Sequence, residues 1–179
     1  MKKEINVFCD GSYYNNKKLN KKFCSYAVVF PKNKNLNESV DITDIERKKS
    51  NNVAELLAIY LSLELCINNY HIDDNVTINI YTDSMLCINT FDSYCFNWKR
   101  FNWKKYDGKE IQNLSLIIPI YELICGIRKM CDLNFIHVKS HQKKPNKNKK
   151  YEYYTWKYNK KVDELAKNSW KNKLIQTQT

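Results

Sequence analysis

Two segments of alternating apolar residues each end in an aspartate, and this repeated layout restricts the folds open to the chain. Residues 5–9 alternate up to Asp10, and residues 76–82 alternate in the same way up to Asp83. Alternation with a period of two predicts a strand, and the Asp-Gly pair that follows the first segment predicts a turn there. If the two strands are parallel neighbours, both carboxylates lie at one carboxyl edge of the sheet, where α/β folds bind their ligands.

The rest of the chain predicts a mixed sheet flanked by helices in a single domain. Further strands are expected over 23–30, 38–46 and 132–138, and an exposed Lys/Asn/Tyr-rich loop over about 142–158. Helices are expected over 51–67, from Ser84 through Phe91, up to about Met130 and over about 159–174. A length of 179 residues fits one domain better than two.

The charge of the chain favours a polyanionic partner. Thirty Lys and Arg against nineteen Asp and Glu leave a formal net charge of +11. Such a surface attracts nucleic acids, but it also attracts acidic membranes, so charge alone does not identify the partner. The longest apolar stretches, such as residues 116–121, fall well short of the roughly 18 residues that a membrane span needs. We therefore expect no membrane association.

The cysteines indicate a reducing compartment. The chain has seven, an odd number, and no two are spaced as C-x-x-C. This predicts free thiols that pack as small core residues inside a cell. The first residues run at once into a strand pattern, so no cleaved leader is expected. The expected location is therefore intracellular, in the cytoplasm or the nucleus.

Four acidic residues lie at positions next to the predicted core, where burying a charge costs free energy. Asp10 and Asp83 end apolar strands, Glu55 lies in the first turns of an apolar helix, and Asp163 borders the core stripe of the last helix. Each alone could be a strand-end cap, a salt-bridge partner or a surface acid. Together they need a counter-charge, and carboxylate oxygens suit Mg²⁺ or Mn²⁺. In a basic protein this set is typical of two-metal phosphodiester hydrolysis.

Four motifs, in this order and on these elements, resemble the catalytic domain of the ribonuclease H type 1 family over about residues 4–172: 8–12 (FCDGS), 51–56 (NNVAEL), 81–84 (YTDS) and 162–166 (VDELA). The resemblance implies an RNase H-like α/β fold, with a five-stranded mixed sheet of three antiparallel leading strands and then parallel ones. It also implies a single catalytic domain over 1–179 and two Mg²⁺ ions, for which Mn²⁺ can substitute. The implied catalytic metal ligands are Asp10, Glu55, Asp83 and Asp163.

The same resemblance implies further site residues. His141, after the last strand, would assist deprotonation or product release, although the stretch between it and Asp163 is longer than is usual in the family. Asn51 and Asn52 would contact 2′-hydroxyl groups, which distinguish RNA from DNA. Ser50 and Asn113 would hold a DNA phosphate. The full set implied to bind nucleic acid is Ser12, Ser50, Asn51, Asn52, Trp98, Lys99, Trp103, Lys104, Asn113 and Asn159.

Two basic aromatic segments each permit two interpretations. Residues 98–109 match the family's basic protrusion, but on composition alone they could be a surface loop whose tryptophans pack on the core. Residues 142–158 are an insertion. It is either a solvated spacer or an added binding surface, in which lysines hold phosphates and aromatic residues pack the loop.

We therefore expect a monomeric endonuclease that cleaves the RNA strand of RNA/DNA hybrids and leaves 3′-hydroxyl and 5′-phosphate ends. Integrase and transposase relatives close their acidic set with a helical Glu, and proofreading exonucleases open with Asp-x-Glu, so both fit the sequence less well. Two alternatives stay open. One is a non-catalytic hybrid-binding module, and the other is an RNase H domain cut from a reverse transcriptase polyprotein.

Overall fold

A computed structural model describes residues 2–46, 48–140 and 142–178 of the chain. In this part, one sheet contains β1 (Lys3–Asn16), β2 (Lys21–Val29), β3 (Glu38–Asp41), β4 (Val76–Thr82) and β5 (Asp132–His137). The helices are α1 (Asn51–Asn69), α2 (Met85–Asn89), α3 (Cys95–Arg100), α4 (Leu114–Ile127) and α5 (Lys150–Gln178). A π-helical turn, Thr90–Tyr94, joins α2 to α3, and a 3₁₀ turn, Lys34–Leu36, precedes β3.

The strand order in the sheet is β3-β2-β1-β4-β5. β1 pairs antiparallel with β2, and β2 pairs antiparallel with β3. β4 lies parallel to β1 on one side and parallel to β5 on the other. The expected mixed sheet with three antiparallel leading strands is therefore confirmed. No described helix is long and apolar enough to cross a membrane.

The sheet separates two hydrophobic layers because alternate residues of each strand point to opposite faces. Val7 and Cys9 of β1 pack in the larger core, with α1 residues such as Ile59. Phe8, between them in sequence, packs in the smaller core with Val162 of α5. Six of the seven cysteines are buried and all seven are free thiols, in agreement with the sequence analysis.

The first strand does not end at Asp10, as the sequence suggested, but continues to Asn16. Its parallel pairing with β4 reaches only Phe8, whereas its antiparallel pairing with β2 continues to the end of the strand. Gly11 is therefore a strand residue and not a turn residue. The third strand is shorter than expected, because the Asp41 carboxylate accepts a hydrogen bond from the Thr43 backbone N–H at 2.6 Å and the chain turns there.

The last helix begins at Lys150, nine residues before the expected start, so the predicted loop over about 142–158 is wrong in its second half. Tyr154 and Tyr158, four residues apart, lie on one face of the helix. Their rings pack against Phe8 of the sheet, with centroids 5.6 Å and 5.5 Å away. This contact with a residue distant in sequence gives the added turns a surface to cover, and of the expected loop only residues 142–149 lie outside the helix.

Candidate active site

Two of the four predicted acids lie side by side on neighbouring parallel strands. Phe8 of β1 pairs with Tyr81 of β4. Asp10 comes two residues after Phe8 and lies inside β1, and Asp83 comes two residues after Tyr81 and lies directly after β4. The expectation that the two carboxylates meet at one edge of the sheet is therefore met, although Asp10 lies within its strand and not at the end of it.

Glu55 reaches this edge because helix α1 comes very close to β1. An ideal Cβ added to Gly11 would lie 2.4 Å from the backbone nitrogen of Glu55, so only glycine allows this approach. The Glu55 carboxylate accepts short hydrogen bonds from the Ser84 hydroxyl and from the Asn51 side-chain amide. The N-terminus of α2 and the first turn of α1 therefore hold the third acid in place.

Asp163 is carried to the site by α5, which is attached to the sheet at several points. The Ser25 hydroxyl donates to the backbone carbonyl of Ala166 at 2.6 Å, and the Trp170 indole donates to the Ser12 hydroxyl at 2.8 Å. The Asp163 carboxylate itself pairs with Lys167, one helical turn later, with Nζ–Oδ1 at 2.7 Å. Lys167 therefore supplies a partly exposed counter-charge at the site.

The four carboxylates repel one another in a common cavity of about 370 Å³, to whose lining all of them contribute. Burial raises the pKa of the Asp10 carboxyl well above its ordinary value of 3.8, and the charges of Asp83 and Asp163 raise it further. Burial also raises the pKa of Glu55, although the Ser84 hydrogen bond opposes the shift. The cavity therefore concentrates negative charge that the protein itself only partly compensates.

The donor set fits divalent cations that prefer oxygen ligands. The four carboxylates face the cavity together with oxygen-bearing side chains such as those of Ser12, Asn51 and Ser140, and this oxygen-rich set is the ligand chemistry of Mg²⁺ and Mn²⁺ and not of zinc. Within the described part of the chain, no three His, Cys, Asp or Glu side chains already form a chelating group. Glu55 is turned towards Ser84 and Asn51, and Asp163 towards Lys167.

The raised pKa of Asp10 predicts that this carboxylate destabilises the metal-free fold. Because its pKa is higher in the folded than in the unfolded chain, its contribution to stability falls as pH rises from 3.8 through the raised value. Asp10→Asn should therefore raise the melting temperature in EDTA at pH 7 by at least about 2 °C, the shift that corresponds to roughly 1 kcal/mol in a chain of this size.

The matched control for this measurement is Asp132→Asn, which removes an exposed carboxylate from the other end of the sheet. It should leave the melting temperature unchanged within about 2 °C or lower it slightly. Calorimetry between pH 4 and pH 8 checks both variants. A lower melting temperature for Asp10→Asn than for the unmodified protein at every pH would contradict this account of the cavity.

Several of the predicted nucleic-acid residues line cavities. Ser12 and Asn51 line the carboxylate cavity. Asn52, Trp98 and Asn113 line a separate groove of about 230 Å³ between α1, α3 and α4. Ser50 is the N-cap of α1, where its hydroxyl accepts from the Val53 backbone N–H at 3.3 Å.

Burial, backbone conformation and hydrogen bonds further define some of the predicted residues. Ser12 is buried and accepts the Trp170 hydrogen bond. Asn113 has a left-handed backbone, with φ at 59°, immediately before α4. Asn159 is buried on α5. His141 lies outside the described residues.

The protrusion is partly helical and its tryptophans are half-buried. Trp98 belongs to the last turn of α3, and both Trp98 and Trp103 pack against the larger core. Trp103 contacts the Tyr121 ring edge-on at 5.8 Å, and the Lys99 ammonium lies 5.9 Å from the centre of that same ring. The indoles therefore anchor the segment, while Lys104 stays exposed.

Three contacts at the site were not recognised as functional from the sequence. Ser84, the first residue of the predicted helix after β4, caps α2 with its hydroxyl and also holds Glu55. Lys167 pairs with Asp163, and the i,i+4 spacing of the two is a signal that could have found this pair. Ser140 lines the carboxylate cavity, and its place directly before the predicted His141 is a signal that could have found it.

In comparison with known proteins, the chain matches one protein family. The RNase H family profile matches residues 2–171. No curated protein matches the sequence significantly. Among solved structures, the RNase H domain of prototype foamy virus has a TM-score of 0.69 and 16% identity, with 93% of each chain covered.

Two further structures have the same fold. The foamy viral protease-reverse transcriptase in complex with double-stranded DNA has a TM-score of 0.67 and 15% identity, with 93% of each chain covered. LC11-RNase H1 from compost, in complex with an RNA/DNA hybrid, has a TM-score of 0.61 and 19% identity, and 95% of this chain and 99% of that chain are covered.

Proposed function

Because this chain belongs to the RNase H family, we propose that it is an endonuclease that hydrolyses the RNA strand of RNA/DNA hybrids and leaves 3′-hydroxyl and 5′-phosphate ends. The observation that carries the proposal is the cavity to which all four acids contribute, in a protein of net charge +11. Among the structural neighbours, LC11-RNase H1 was solved with an RNA/DNA hybrid, and the foamy viral enzyme was also solved with one.

We infer that Asp10, Glu55, Asp83 and Asp163 would hold two Mg²⁺ or Mn²⁺ ions. Such ions, when bound, supply an activated water and stabilise the leaving oxygen. Strands β1 and β4 fix the positions of Asp10 and Asp83, which reduces the motion needed to form the site. His141 is proposed to move a proton during cleavage or to assist product release.

Substrate selection is proposed to come from side chains next to the carboxylates. The Asn51 amide already contacts Glu55, so a 2′-hydroxyl that bonds to it would lie beside the acids. Amides donate and accept hydrogen bonds, as a 2′-hydroxyl does. DNA lacks this hydroxyl and would form one contact fewer at this point.

The direct test uses three end-labelled substrates, an RNA/DNA hybrid, double-stranded RNA and double-stranded DNA, each with Mg²⁺, Mn²⁺ or EDTA. Cleavage of the RNA strand of the hybrid alone, with either ion but not with EDTA, is expected. The RNA products should accept a 5′ label from a kinase only after phosphatase treatment. A protein that binds the hybrid and cuts none of the substrates would be a binding module. An intracellular, monomeric enzyme is proposed, and the seven free thiols support this location.

We expect the protrusion to bind substrate phosphates. Replacing four of its basic side chains with alanine should raise KM and flatten the salt dependence of binding, with little change in kcat. Each lost phosphate contact should reduce the slope of log K against log salt by about 0.9, the value for duplex DNA. Fluorescence anisotropy measures this slope when the salt concentration is varied from about 50 to about 200 mM, the range over which phosphate contacts change the affinity strongly. The four residues are Lys99, Arg100, Lys104 and Lys105.

A charge-matched control replaces four exposed lysines at the opposite end of the sheet. Their loss lowers the net charge equally, so any general effect of charge on binding appears in both variants. A slope that falls equally in the two variants would mean that the protrusion makes no specific contact. The control residues are Lys2, Lys32, Lys34 and Lys129.

A further inference from the structure

A second cavity of about 330 Å³ adjoins the carboxylate cavity, and Asp83 and Asp163 contribute to both. Its other wall is the N-terminal part of α5, which supplies Trp156, Asn159 and Lys160. These positions precede Asp163 by roughly one and two helical turns, so the face of α5 that carries the acid continues into this wall. The inserted part of the chain therefore reaches the candidate active site.

The ring of Trp156 contacts two lysine side chains beside this cavity. Its indole N–H donates to the backbone carbonyl of Gln142 at 3.2 Å, which ties the segment after His141 to the helix. The Lys144 ammonium lies 5.9 Å from the ring centre, and the Lys160 ammonium lies 5.6 Å from it. Cation–π contacts of this length restrict where the two ammonium groups can go.

The acidic neighbours of these lysines do not cancel their charge. Lys160 also approaches Glu164, with Nζ–Oε1 at 3.6 Å, but both side chains are more than half exposed. An exposed pair of this kind is weak and is readily exchanged for another anion. Lys139 and Lys160 line the cavity, Glu164 also lines it, and Lys144 lies beside it on the Trp156 ring. Away from Asp83 and Asp163, the lining therefore has two cationic side chains against one anionic side chain, so this wall is net positive and suits a phosphate group.

Asn159 supplies a second, independent observation. The residue is 8% exposed, it lines the cavity, and its Oδ1 atom has no hydrogen-bond partner among the described residues. A buried acceptor without a partner is costly and uncommon in folded proteins. A hydroxyl group of a ligand in the cavity would supply the missing donor.

We propose that this cavity binds one ribonucleotide of the RNA strand, next to the phosphodiester that is cleaved. Lys144 and Lys160, oriented by Trp156, hold its phosphate, and the Asn159 oxygen accepts from its 2′-hydroxyl. The inference rests on the proposed function. It assigns a role to the inserted segment, since Lys144 and the added turns of α5 exist only through that insertion, and it makes the cavity selective for RNA because deoxyribose would leave Asn159 without a donor.

The test of the phosphate contact is a set of hybrids, each with one uncharged methylphosphonate at a different position of the RNA strand. At one position beside the cut, the unmodified protein should lose about tenfold in kcat/KM, as expected when a charge-assisted contact is removed. Lys144→Ala/Lys160→Ala should lose less than twofold at that position, since its contact is already gone. The control, Lys157→Ala/Lys171→Ala, removes two exposed lysines of α5 outside the cavity and should keep the full tenfold sensitivity.

Two results of this scan would overturn the proposal. One is a Lys144→Ala/Lys160→Ala protein that is as sensitive as the unmodified protein at every position. The other is a sensitive position that appears only when the methylphosphonate is placed in the DNA strand, because the cavity would then hold the other strand.

The hydroxyl contact is tested by single 2′-deoxy substitutions along the RNA strand. At the nucleotide identified by the phosphate scan, the unmodified protein should lose several-fold in kcat/KM. Asn159→Ala should show no such loss, whereas Asn159→Asp, which keeps an acceptor oxygen, should still show it. Equal losses in the unmodified protein and Asn159→Ala would remove this residue from the proposal. Should Asn159→Ala fail to fold, Asn159→Leu, which also removes the acceptor oxygen but keeps a similar volume, takes its place and should likewise show no loss.

Failure of this inference and failure of the proposed function give different results. If the unmodified protein cuts no hybrid with Mg²⁺ or Mn²⁺, the proposed function is rejected. The role of the cavity is then tested by the affinity of the protein for the hybrid and not by cleavage. The salt slope of hybrid binding should be lower by about 0.9 for Lys144→Ala/Lys160→Ala than for the unmodified protein and its control variant. Identical slopes would reject the cavity as a binding site. Cleavage by the unmodified protein with no effect of the lysines would reject only the cavity.

Discussion

Asp83→Asn is expected to lower kcat for hybrid cleavage by at least about 10³-fold, or roughly 4 kcal/mol of transition-state stabilisation. The side chain keeps its size, but it loses the charge that a divalent ion needs from its ligand. Asp83 sits where both cavities meet, so no other acid can replace it without moving a strand or a helix. The affinity for the hybrid should be unchanged or higher, because the substrate phosphates meet less negative charge.

Single-turnover kinetics in saturating Mg²⁺ and anisotropy binding on the same preparation separate these two effects. Asp132→Asn, at the opposite end of the sheet, is the control and should keep the kcat of the unmodified protein. Wild-type turnover by Asp83→Asn in saturating Mg²⁺ would exclude the two-metal mechanism. A loss of both turnover and binding would instead indicate that the variant is misfolded.

Gly11→Ala should be the most damaging single-methyl substitution for both stability and activity. The added Cβ would lie 2.4 Å from the Glu55 nitrogen and 2.5 Å from the Ala54 carbonyl carbon, and these backbone atoms cannot rotate away. Helix α1 must move outward. We expect a cost of about 3 kcal/mol, which lowers the melting temperature by roughly 6–12 °C in a chain of this size. A shift of Glu55 away from Asp10 by about 1 Å should lower kcat by roughly 100-fold.

The control for this variant is Gly126→Ala in α4. An added Cβ at Gly126 meets no atom within 4 Å, and alanine favours a helix over glycine by about 1 kcal/mol. Its melting temperature should stay equal or rise. Calorimetry and steady-state kinetics measure both variants. A Gly11→Ala protein with the melting temperature and kcat of Gly126→Ala would show that α1 does not depend on this close approach.

The sequence predicted the placement of Asp10 and Asp83 because it depends on two regular features, alternation and parallel pairing. It misjudged the end of β1, since Asp-Gly is typical of turns, whereas Gly11 is needed for its closeness to Glu55, which is 44 positions away. The additional turns of α5 were also missed. Their stability depends on the packing of Tyr154 and Tyr158 on Phe8, and no local pattern encodes a contact with a distant strand.

The continuity of α5 fixes the angular relation between the added wall and the acid. One unbroken helix runs from Lys150 to Gln178, and each residue turns it by about 100°. A single inserted or deleted residue between Trp156 and Asp163 would therefore rotate the indole out of the cavity, even with every other side chain retained. Insertions or deletions before Lys150, where the chain is not yet helical, would leave the second cavity intact. Within the helix, only insertions or deletions close to a whole number of helical turns would do so.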